Sequence, residues 1–325
     1  MKRERYGMLL RALQPIAHAE GTVGNATLAM RRKVRMPSGD IVSVPIVTAD
    51  TMRHCTREAG AMALLDGLGM LEKPELTEAA VRLIFNGGML TGKTGGAVKL
   101  KEFRELVALL PSLALFGGCA NSQLVPGQLE VSDALLVCEE TRHLLPAWVI
   151  EHAGSITPAG ELLDEETRVR FDPSRDPSKV RLLDAVARDA VERRQDAREL
   201  ASAEGNDAAA LATKSTMMPR TCEVIVPGAL LYWEVTATTY DALQEDTLAV
   251  TLGSFLARPS VGGKRGTGHG LLAPVRGERA PITRHAEAST RVDLSALGTK
   301  AGDVFRAHVR DKAAAIRTVL ASVQA

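Results

Sequence analysis

The stretch from Thr221 to Tyr240, TCEVIVPGALLYWEVTATTY, carries the clearest structural signal in the chain. Two runs rich in β-branched and aromatic residues flank Pro227-Gly228, a pair typical of turns, and this pattern predicts two adjacent strands. Residues 241–259, DALQEDTLAVTLGSFLARP, then follow helical spacing. The inward side of that helix is predicted to consist of Leu243, Leu248, Leu252 and Phe255.

The N-terminal region predicts further sheet. Residues 6–14, YGMLLRALQ, predict a first strand, and Lys33–Met36 with Ile41–Val44 predict a hairpin around a turn at Pro37-Ser-Gly-Asp. This places a strand and a hairpin ahead of the first helix.

A helix is predicted next, with Thr48 or Asp50 as its cap. The buried stripe of this helix is predicted to consist of Met52, Cys55, Ala59 and Met62. Helical spacing puts Arg53 and Arg57 together on another face, near the positive N-terminal end of the helix.

In chain order the core elements run strand, helix, strand, strand, helix, strand, with insertions. This is the βαββαβ order of a ferredoxin-like, or RRM-like, fold in the α+β class. An exposed four-stranded sheet of this kind commonly binds single-stranded RNA. Aromatic residues make up only 3% of the chain, so base contacts would use aliphatic side chains, methionine or arginine. Residues 151–219, with turn residues, mixed charge and a long charged helix, predict an inserted arm.

The composition of the 325 residues is that of an ordinary soluble protein, with 45% apolar and 24% charged residues. The net charge of +1 excludes a chain-wide basic excess, so any site for a polyanion must be local. The four cysteines lie far apart and form no C-x-x-C pair, which predicts reduced thiols and no metal site. No segment has the pattern of a signal peptide or a membrane span. We therefore expect a cytoplasmic protein with no membrane partner.

The segment GGMLTGKTGG fits the pattern G-x-x-x-x-G-K-[ST] from Gly87 to Thr94. It raises the alternative of a P-loop NTPase using Lys93 and Thr94, and ALLVCEE at 134–140 resembles the acidic strand of such enzymes. A P-loop needs a strand before it and a helix after it. Residues 74–86 and 97–111 both follow helical spacing instead, which favours a linker between two helices. ALLVCEE is equally consistent with a buried strand that ends in exposed glutamates.

A second glycine-rich segment, VGGKRGTGHG at 261–270, combines bare backbone amides with Lys264, Arg265 and His269. Six Lys or Arg residues lie between Arg258 and Arg284 against the single acid Glu278. This local excess indicates contact with a polyanion. The alternative is a glycine-rich turn whose charges are only solvated.

The histidines offer no catalytic arrangement. His18, His54 and His269 have no serine, cysteine or carboxylate partner at a recognisable spacing. An RNA-processing nuclease would require His269 near the glycine-rich loop to act in catalysis, and a structural role is favoured. We expect no catalytic residue and no cofactor.

Several segments in order resemble the backbone subunits of CRISPR effector complexes, members of the RAMP superfamily. They are residues 13–61, LQPIAHAEGTVGNATLAMRRKVRMPSGDIVSVPIVTADTMRHCTREAGA, followed by ALFGG and GQLEVSDA, then CEVIVPGALLYW, then GGKRGTGHG. The resemblance covers about 1–60, 112–140 and 221–272, and the type IV variant is the most similar. It implies a ferredoxin-like palm of residues 1–60, 111–150 and 220–325, a helical insertion at 61–110 and a thumb-like insertion at 151–219.

The same resemblance implies that copies of the chain stack along a guide RNA (crRNA) in a ribonucleoprotein complex for antiviral defence. Further CRISPR subunits and a complementary DNA or RNA target are the other implied partners. Phosphates would be held by Arg53, Arg57, Lys264 and Arg265, and Met217 or Met218 would be the thumb residue that displaces a base. The other RNA-contact candidates are Arg31, Arg32, Lys214, Gly262, Gly263 and His269.

Some relatives in this superfamily cut target RNA with an aspartate in the loop after the first strand. Here that loop, HAEGTVGNATLAM, contains Glu20 as its only carboxylate. We therefore expect no cleavage of the target by this subunit.

Overall fold

The computed structural model describes residues 1–72, 76–88, 100–120, 123–168, 176–203, 219–283, 289–294, 297 and 302–322. The chain divides into two compact units. The first contains Met1–Glu20, Ala29–Asp164 and Val224–Ala325, and the second contains Gly21–Leu28 and Glu165–Glu223. The second unit overlaps the predicted thumb at 151–219 and adds the segment 21–28.

The protein belongs to the α+β class. Its strands are β1 Lys2–Ala12, β2 Ala19–Val23, β3 Ala26–Ala29, β4 Arg31–Arg35, β5 Ile41–Val47, β6 Gly118–Ala120, β7 Gln123–Val125, β8 Leu129–Val131, β9 Ala134–Leu136, β10 Leu163–Arg168, β11 Arg220–Ile225, β12 Leu230–Thr239, β13 Leu272–Pro281 and β14 Thr290–Val292. Its α-helices are α1 Ala49–Gly67, α2 Glu78–Val81, α3 Leu100–Leu109, α4 Pro111–Phe116, α5 Ala147–Ala153, α6 Pro177–Val180, α7 Ala185–Ala203, α8 Ala242–Ala257, α9 Asp303–Asp311 and α10 Ala313–Ser322.

The main sheet has eight strands, in the order β14-β13-β1-β12-β9-β5-β4, and β8 also pairs with β12. The central strand β1 pairs antiparallel with β12 from Lys2↔Thr239 to Arg11↔Leu230, and antiparallel with β13 on its other side. The predicted strands on either side of Pro227-Gly228 are confirmed as β11 and β12. Strand β1 starts earlier than predicted, at Lys2, because Lys2 and Arg3 already pair with β12, and the pairing with β13 begins at Glu4.

The two long helices α1 and α8 pack with this sheet around the largest apolar core. Trp233 on β12 is fully buried and meets Phe255 of α8 edge to face, with ring centroids 5.5 Å apart. Burying an aromatic side chain of this kind stabilises a fold by roughly 1.5–3 kcal/mol. Gly60 lets the two helices approach closely, since a β-carbon there would lie 2.7 Å from the Thr251 hydroxyl.

The opposite face of the sheet is partly covered as well. Helix α5 places Trp148 edge to face on Tyr232, with centroids 5.9 Å apart, above buried Leu9 and Val149. The sequence predicted an exposed sheet face, and α5 removes this part of it from solvent. Single-stranded RNA therefore cannot stack on Tyr232 in the way it stacks on an open sheet of this type.

A second apolar cluster lies among helices. Residues of α1, α2, α3, α9 and α10 contribute, with Leu83 and Ile84 from a single π turn, Arg82–Asn86, that continues α2. The helix predicted to start at Pro74 begins at Glu78 in the described residues, capped by the Thr77 hydroxyl. The helix predicted over 97–111 is described from Leu100 to Leu109.

The second unit contains β3, α7 and most of β11. Strand β11 runs parallel to β3, with Thr221 opposite Ala26, in a sheet of order β10-β11-β3-β2. The long charged helix predicted in this region is confirmed as α7, where Val191 is buried.

None of the helices in the described part of the chain combines the length and apolar character that a bilayer span requires.

Candidate nucleic-acid interface

The glycine-rich segment forms a compact loop between α8 and β13. Backbone hydrogen bonds close the loop on itself, from the Val261 N–H to the Gly270 carbonyl at 2.9 Å. The Gly263 N–H donates to the Ala17 carbonyl at 2.7 Å, which ties this loop to the segment after β1. Gly262 has φ +77°, and a β-carbon there would lie 2.6 Å from the Ala17 oxygen. Glycine is therefore required at 262 by close approach of two backbones.

Lys264 stands at the tip of this loop in a left-handed conformation, φ +57°, which is uncommon for a residue with a side chain. Its side chain is exposed, and within the described residues no carboxylate lies at salt-bridge distance from its ammonium group. Arg265 is also exposed, and its Nη1 lies 3.7 Å from Glu58 Oε2 on α1. An exposed pair at that distance contributes little stability. The loop therefore presents two cations to solvent at the side of α1.

His269, by contrast, is only 1% exposed. Its Nδ1 lies 3.2 Å from the Thr267 carbonyl oxygen, inside the loop. A general acid or base must reach its substrate within hydrogen-bond distance, and burial places His269 out of such reach in this conformation. The geometry assigns His269 to support of the loop.

Arg53 and Arg57 lie side by side on α1, as their spacing predicted. Both donate to the carbonyl oxygen of Phe116, Arg53 Nη2 at 2.6 Å and Arg57 Nη2 at 2.7 Å. Arg53 Nη1 also donates to the Leu129 carbonyl at 2.9 Å, and Arg57 Nη2 to the Gly117 carbonyl at 3.0 Å. Both guanidinium groups lie against the Phe116 ring, 5.6 and 5.1 Å from its centroid. The pair thus holds the segment between α4 and β6 against α1.

These two charges have no counter-ion within salt-bridge distance among the described residues. Burial lowers the pKa of Arg57 to about 10, with a smaller contribution from the neighbouring Arg53. Burial also lowers the pKa of Arg53, partly offset by Asp50. Both groups stay protonated at neutral pH. Two uncompensated, half-buried guanidinium groups can bind an anion with their remaining N–H donors, in addition to supporting the backbone.

The predicted contacts Arg31 and Arg32 separate on β4, because successive side chains of a strand point to opposite faces. Arg32 Nε donates to Asp133 Oδ2 at 2.8 Å. Arg31 lies on the other face and reaches the Ala29 carbonyl at 3.4 Å. Arg32 is therefore engaged within the protein, and the two arginines do not act as one site.

Asp133 and His18 organise the start of α1, a role that was not predicted from the sequence for either residue. Asp133 Oδ1 accepts the Ala49 N–H at 2.7 Å, while its other oxygen accepts from Arg32. His18 Nε2 accepts the Thr48 N–H at 3.2 Å, and Thr48 is the N-cap of α1. Burial lowers the pKa of His18, and Asp133 opposes this. Only the turn-like pair Ser132-Asp133 could have drawn attention to the first of these residues.

The glycines at 87–88 end the helical segment before them. Gly87 and Gly88 have φ +85° and +88°, and their N–H groups bond back to Leu83 at 3.0 Å and Arg82 at 2.8 Å. A β-carbon on Gly88 would collide with the Cys119 carbonyl. A helix precedes these glycines, as the spacing predicted, and the strand that a P-loop requires is not there. Lys93 and Thr94 lie outside the described residues, as do Lys214, Met217 and Met218.

The structure therefore brings the glycine-rich loop, the segment after β1 and the N-terminal half of α1 together. Arg265 lies near Cys55 and Glu58 of α1, and it lowers the pKa of the Cys55 thiol against the dominant upward effect of burial. Arg53 and Arg57 occupy another side of the same helix. The outcome is an α+β fold with cations concentrated around one helix.

No protein-family model matches the sequence, and no curated protein matches it either. The fold is similar to that of a chain in the solved structure "Type IV-B CRISPR Complex", with a TM-score of 0.52 and 17% sequence identity. The match covers 90% of this chain and 96% of that chain. At this level of identity the similarity concerns the fold.

Proposed function

We propose that this chain is a guide-RNA-binding backbone subunit of a CRISPR ribonucleoprotein complex, of the type IV class and the RAMP superfamily. The observation that carries the proposal is the shared fold over nearly the full length of both chains. A small insertion or a single shared domain would not produce such coverage. The cytoplasm is the compartment where such a subunit would meet its RNA.

The strand order supports a ferredoxin-like palm as the centre of this fold. Strands β13, β1, β12 and β9 are neighbours in that order, and each adjacent pair is antiparallel. With α1 between β1 and β9 in the chain, and α8 between β12 and β13, this is the arrangement expected of βαββαβ. Helices α2 and α3 would then lie in the helical insertion at 61–110, and the unit with α7 would be the thumb.

The proposed RNA contacts are the cations around α1. Lys264 and Arg265 are exposed on a loop with bare backbone amides, which suits phosphate oxygens. Arg53 and Arg57 carry charges that no described carboxylate neutralises. A chain with net charge +1 can bind RNA tightly when many copies each contribute a few phosphate contacts along one strand.

We further propose that this subunit does not cut its target and uses no cofactor. Other subunits and a complementary DNA or RNA strand would complete the complex. The prediction on cleavage has a direct test with the assembled complex and complementary RNA. Regular, metal-dependent cutting that is lost on Glu20→Ala would contradict it.

Purification from the expression host tests the main proposal. The ultraviolet absorbance ratio of nucleic acid to protein and the mass from light scattering should be recorded before and after nuclease treatment. We expect large, nuclease-sensitive assemblies that contain RNA, reduced in Lys264→Ala/Arg265→Ala. The matched control is Arg306→Ala/Arg310→Ala, which removes the same charge from α9. A nucleic-acid-free monomer that binds ATP would instead favour the Gly87–Thr94 alternative.

A further inference from the structure

Strand β4 carries a row of cations that the proposed RNA contacts around α1 do not include. The sequence of this strand is RRKVR, and antiparallel pairing with β5 sets its register. Arg32 and Val34 point to the core side, where Val34 is buried and Arg32 meets Asp133. Arg31, Lys33 and Arg35 therefore share the opposite face, and we refer to these three residues as the β4 row.

The cross-strand neighbours of the row are uncharged. Arg31 lies opposite Pro45, Lys33 opposite Ser43 and Arg35 opposite Ile41. Lys33 and Arg35 are exposed, and Ile41 is 67% exposed.

The acid nearest in sequence does not neutralise the row. Asp40, in the turn of the hairpin, accepts a hydrogen bond from Ser38 Oγ at 2.7 Å. Among the described residues, no carboxylate lies at salt-bridge distance from Lys33 or Arg35. Lys33 and Arg35 thus hold positive charge that no described carboxylate neutralises at salt-bridge distance, in a chain whose total charge is nearly zero.

The geometry of the row suits a linear polyanion. Side chains two residues apart on a strand are separated by about 7 Å and point in the same direction. The row therefore forms a straight line of cations. Strand β4 also ends the described order of the main sheet, so every second residue directs its N–H away from β5. An extended sugar–phosphate backbone matches both the charge and the linear spacing.

We propose that the β4 row binds the sugar–phosphate backbone of a nucleic-acid strand, as a contact surface additional to the loop around Lys264. The inference rests on the proposed function, because it assumes that the protein handles nucleic acid. The strand could be the guide RNA itself or the strand paired with it, since both present the same phosphate chemistry. Phosphate contacts of this kind position a strand without reading its sequence.

The test uses the full chain with Lys33→Gln/Arg35→Gln, and the control Arg306→Gln/Arg310→Gln, which removes two charges from α9. The first arm measures binding of a labelled single-stranded RNA of mixed sequence over a series of salt concentrations. The second arm measures binding of a complementary labelled strand by protein already loaded with that RNA. Each lost phosphate contact should reduce the slope of log affinity against log salt by about 0.7 on a single strand.

A reduced slope and weaker affinity in the first arm, relative to the control, would support the row as a guide contact. The same change in the second arm alone would support it as a contact for the paired strand. Unchanged slopes in both arms, an equal effect of the α9 control, or a loss of solubility with unchanged affinity would overturn the inference. Failure of the wild-type protein to bind RNA at all would instead remove the proposed function.

Discussion

The guanidinium group of Arg57 lies directly against the α-carbon of Gly87, in the space that a β-carbon at position 87 would need. Gly87 also has φ +85°, a left-handed conformation that favours glycine. The first glycine of GGMLTGKTGG therefore has a structural reason that involves no nucleotide. It ends a helix and makes room for an arginine of α1.

We predict that Gly87→Ala destabilises the protein by about 1–3 kcal/mol, because the backbone is strained and Arg57 must move. Urea denaturation measures this difference. Gly160→Ala is the control, since a β-carbon there meets nothing within 4 Å and its φ is not positive. Equal stability of the two variants would contradict the packing of Arg57 on Gly87.

Arg57 itself should matter for both stability and RNA binding. In Arg57→Gln the Gly117 carbonyl loses its guanidinium donor, and unsatisfied buried groups cost about 1–3 kcal/mol. If Arg57 also holds a phosphate, the salt dependence of RNA binding should weaken in the same variant. Arg57→Lys keeps the charge but cannot reproduce the forked donor geometry. We therefore expect Arg57→Lys to lose stability but to retain more RNA affinity than Arg57→Gln. Weaker RNA binding by Arg57→Lys than by Arg57→Gln would contradict a role of the positive charge in RNA binding.

Asp133 should contribute more to stability than Arg32 does, although the two form one ion pair. Arg32 is 58% exposed in its side chain, so the pair itself is worth about 1 kcal/mol or less. Asp133 also accepts the Ala49 N–H at the start of α1, and loss of such a cap costs about 0.5–2 kcal/mol. Thermal unfolding of Arg32→Ala, Asp133→Ala and the double variant separates the contribution of the ion pair from that of the hydrogen bond to the Ala49 N–H. A smaller loss in Asp133→Ala than in Arg32→Ala would contradict the capping role.

The sequence was most informative where periodicity and turn chemistry agree. Strands β11 and β12 on either side of Pro227-Gly228, the helices α1, α7 and α8, and the cap Thr48 follow from local pattern alone. The buried stripe of α1 was only partly correct. Met52 and Cys55 are buried, but Met62 is 43% exposed, and Leu64 and Leu65 are buried instead. The stripe shifts around the helix because its C-terminal half packs against the second helical cluster, which local spacing cannot reveal.

The roles of charged residues were less accessible from sequence. Whether Arg32 is free for a ligand depends on Asp133, 101 positions away in the chain. Arg53 reaches the carbonyls of Phe116 and Leu129, which are 63 and 76 positions away. Such partners come together only through the sheet order. The alternation of side chains between the two faces of a strand would have been enough to predict that Arg31 and Arg32 lie on opposite faces of β4.

Stability should fall in mild acid through His18. Its pKa is lowered in the folded protein because the ring is half-buried, although the nearby Asp133 opposes this effect. An unfolded chain takes up a proton on this histidine near pH 6.5, whereas the folded chain resists it. Stability is therefore lost as pH falls below about 6.5 and is fully present above that value.

His18→Gln isolates this effect, since the amide oxygen of glutamine can accept the same N–H without titrating. The melting temperature should fall less between pH 7.5 and lower pH in His18→Gln than in the wild type. Six other histidines remain in the chain and provide the background. An identical pH dependence in both proteins would exclude His18 as the source.

Lys264 allows effects on stability and on RNA binding to be separated. Its left-handed backbone lowers the stability of the fold, whereas its exposed positive charge is proposed to strengthen RNA binding. The left-handed backbone at φ +57° costs about 1–2 kcal/mol for a residue with a side chain. Glycine removes that cost, although it adds about 0.5–1 kcal/mol of conformational entropy in the unfolded chain. Lys264→Gly should therefore leave stability unchanged or raise it slightly.

The same variant removes an exposed cation, so RNA affinity should fall, and the slope of log affinity against log salt should be lower by about 0.7. Arg265→Gln is the matched control, since it removes a neighbouring charge without a change at a left-handed residue. A Lys264→Gly protein that is clearly less stable would show that the loop does not strain this residue. One that binds RNA like the wild type would show that Lys264 makes no phosphate contact.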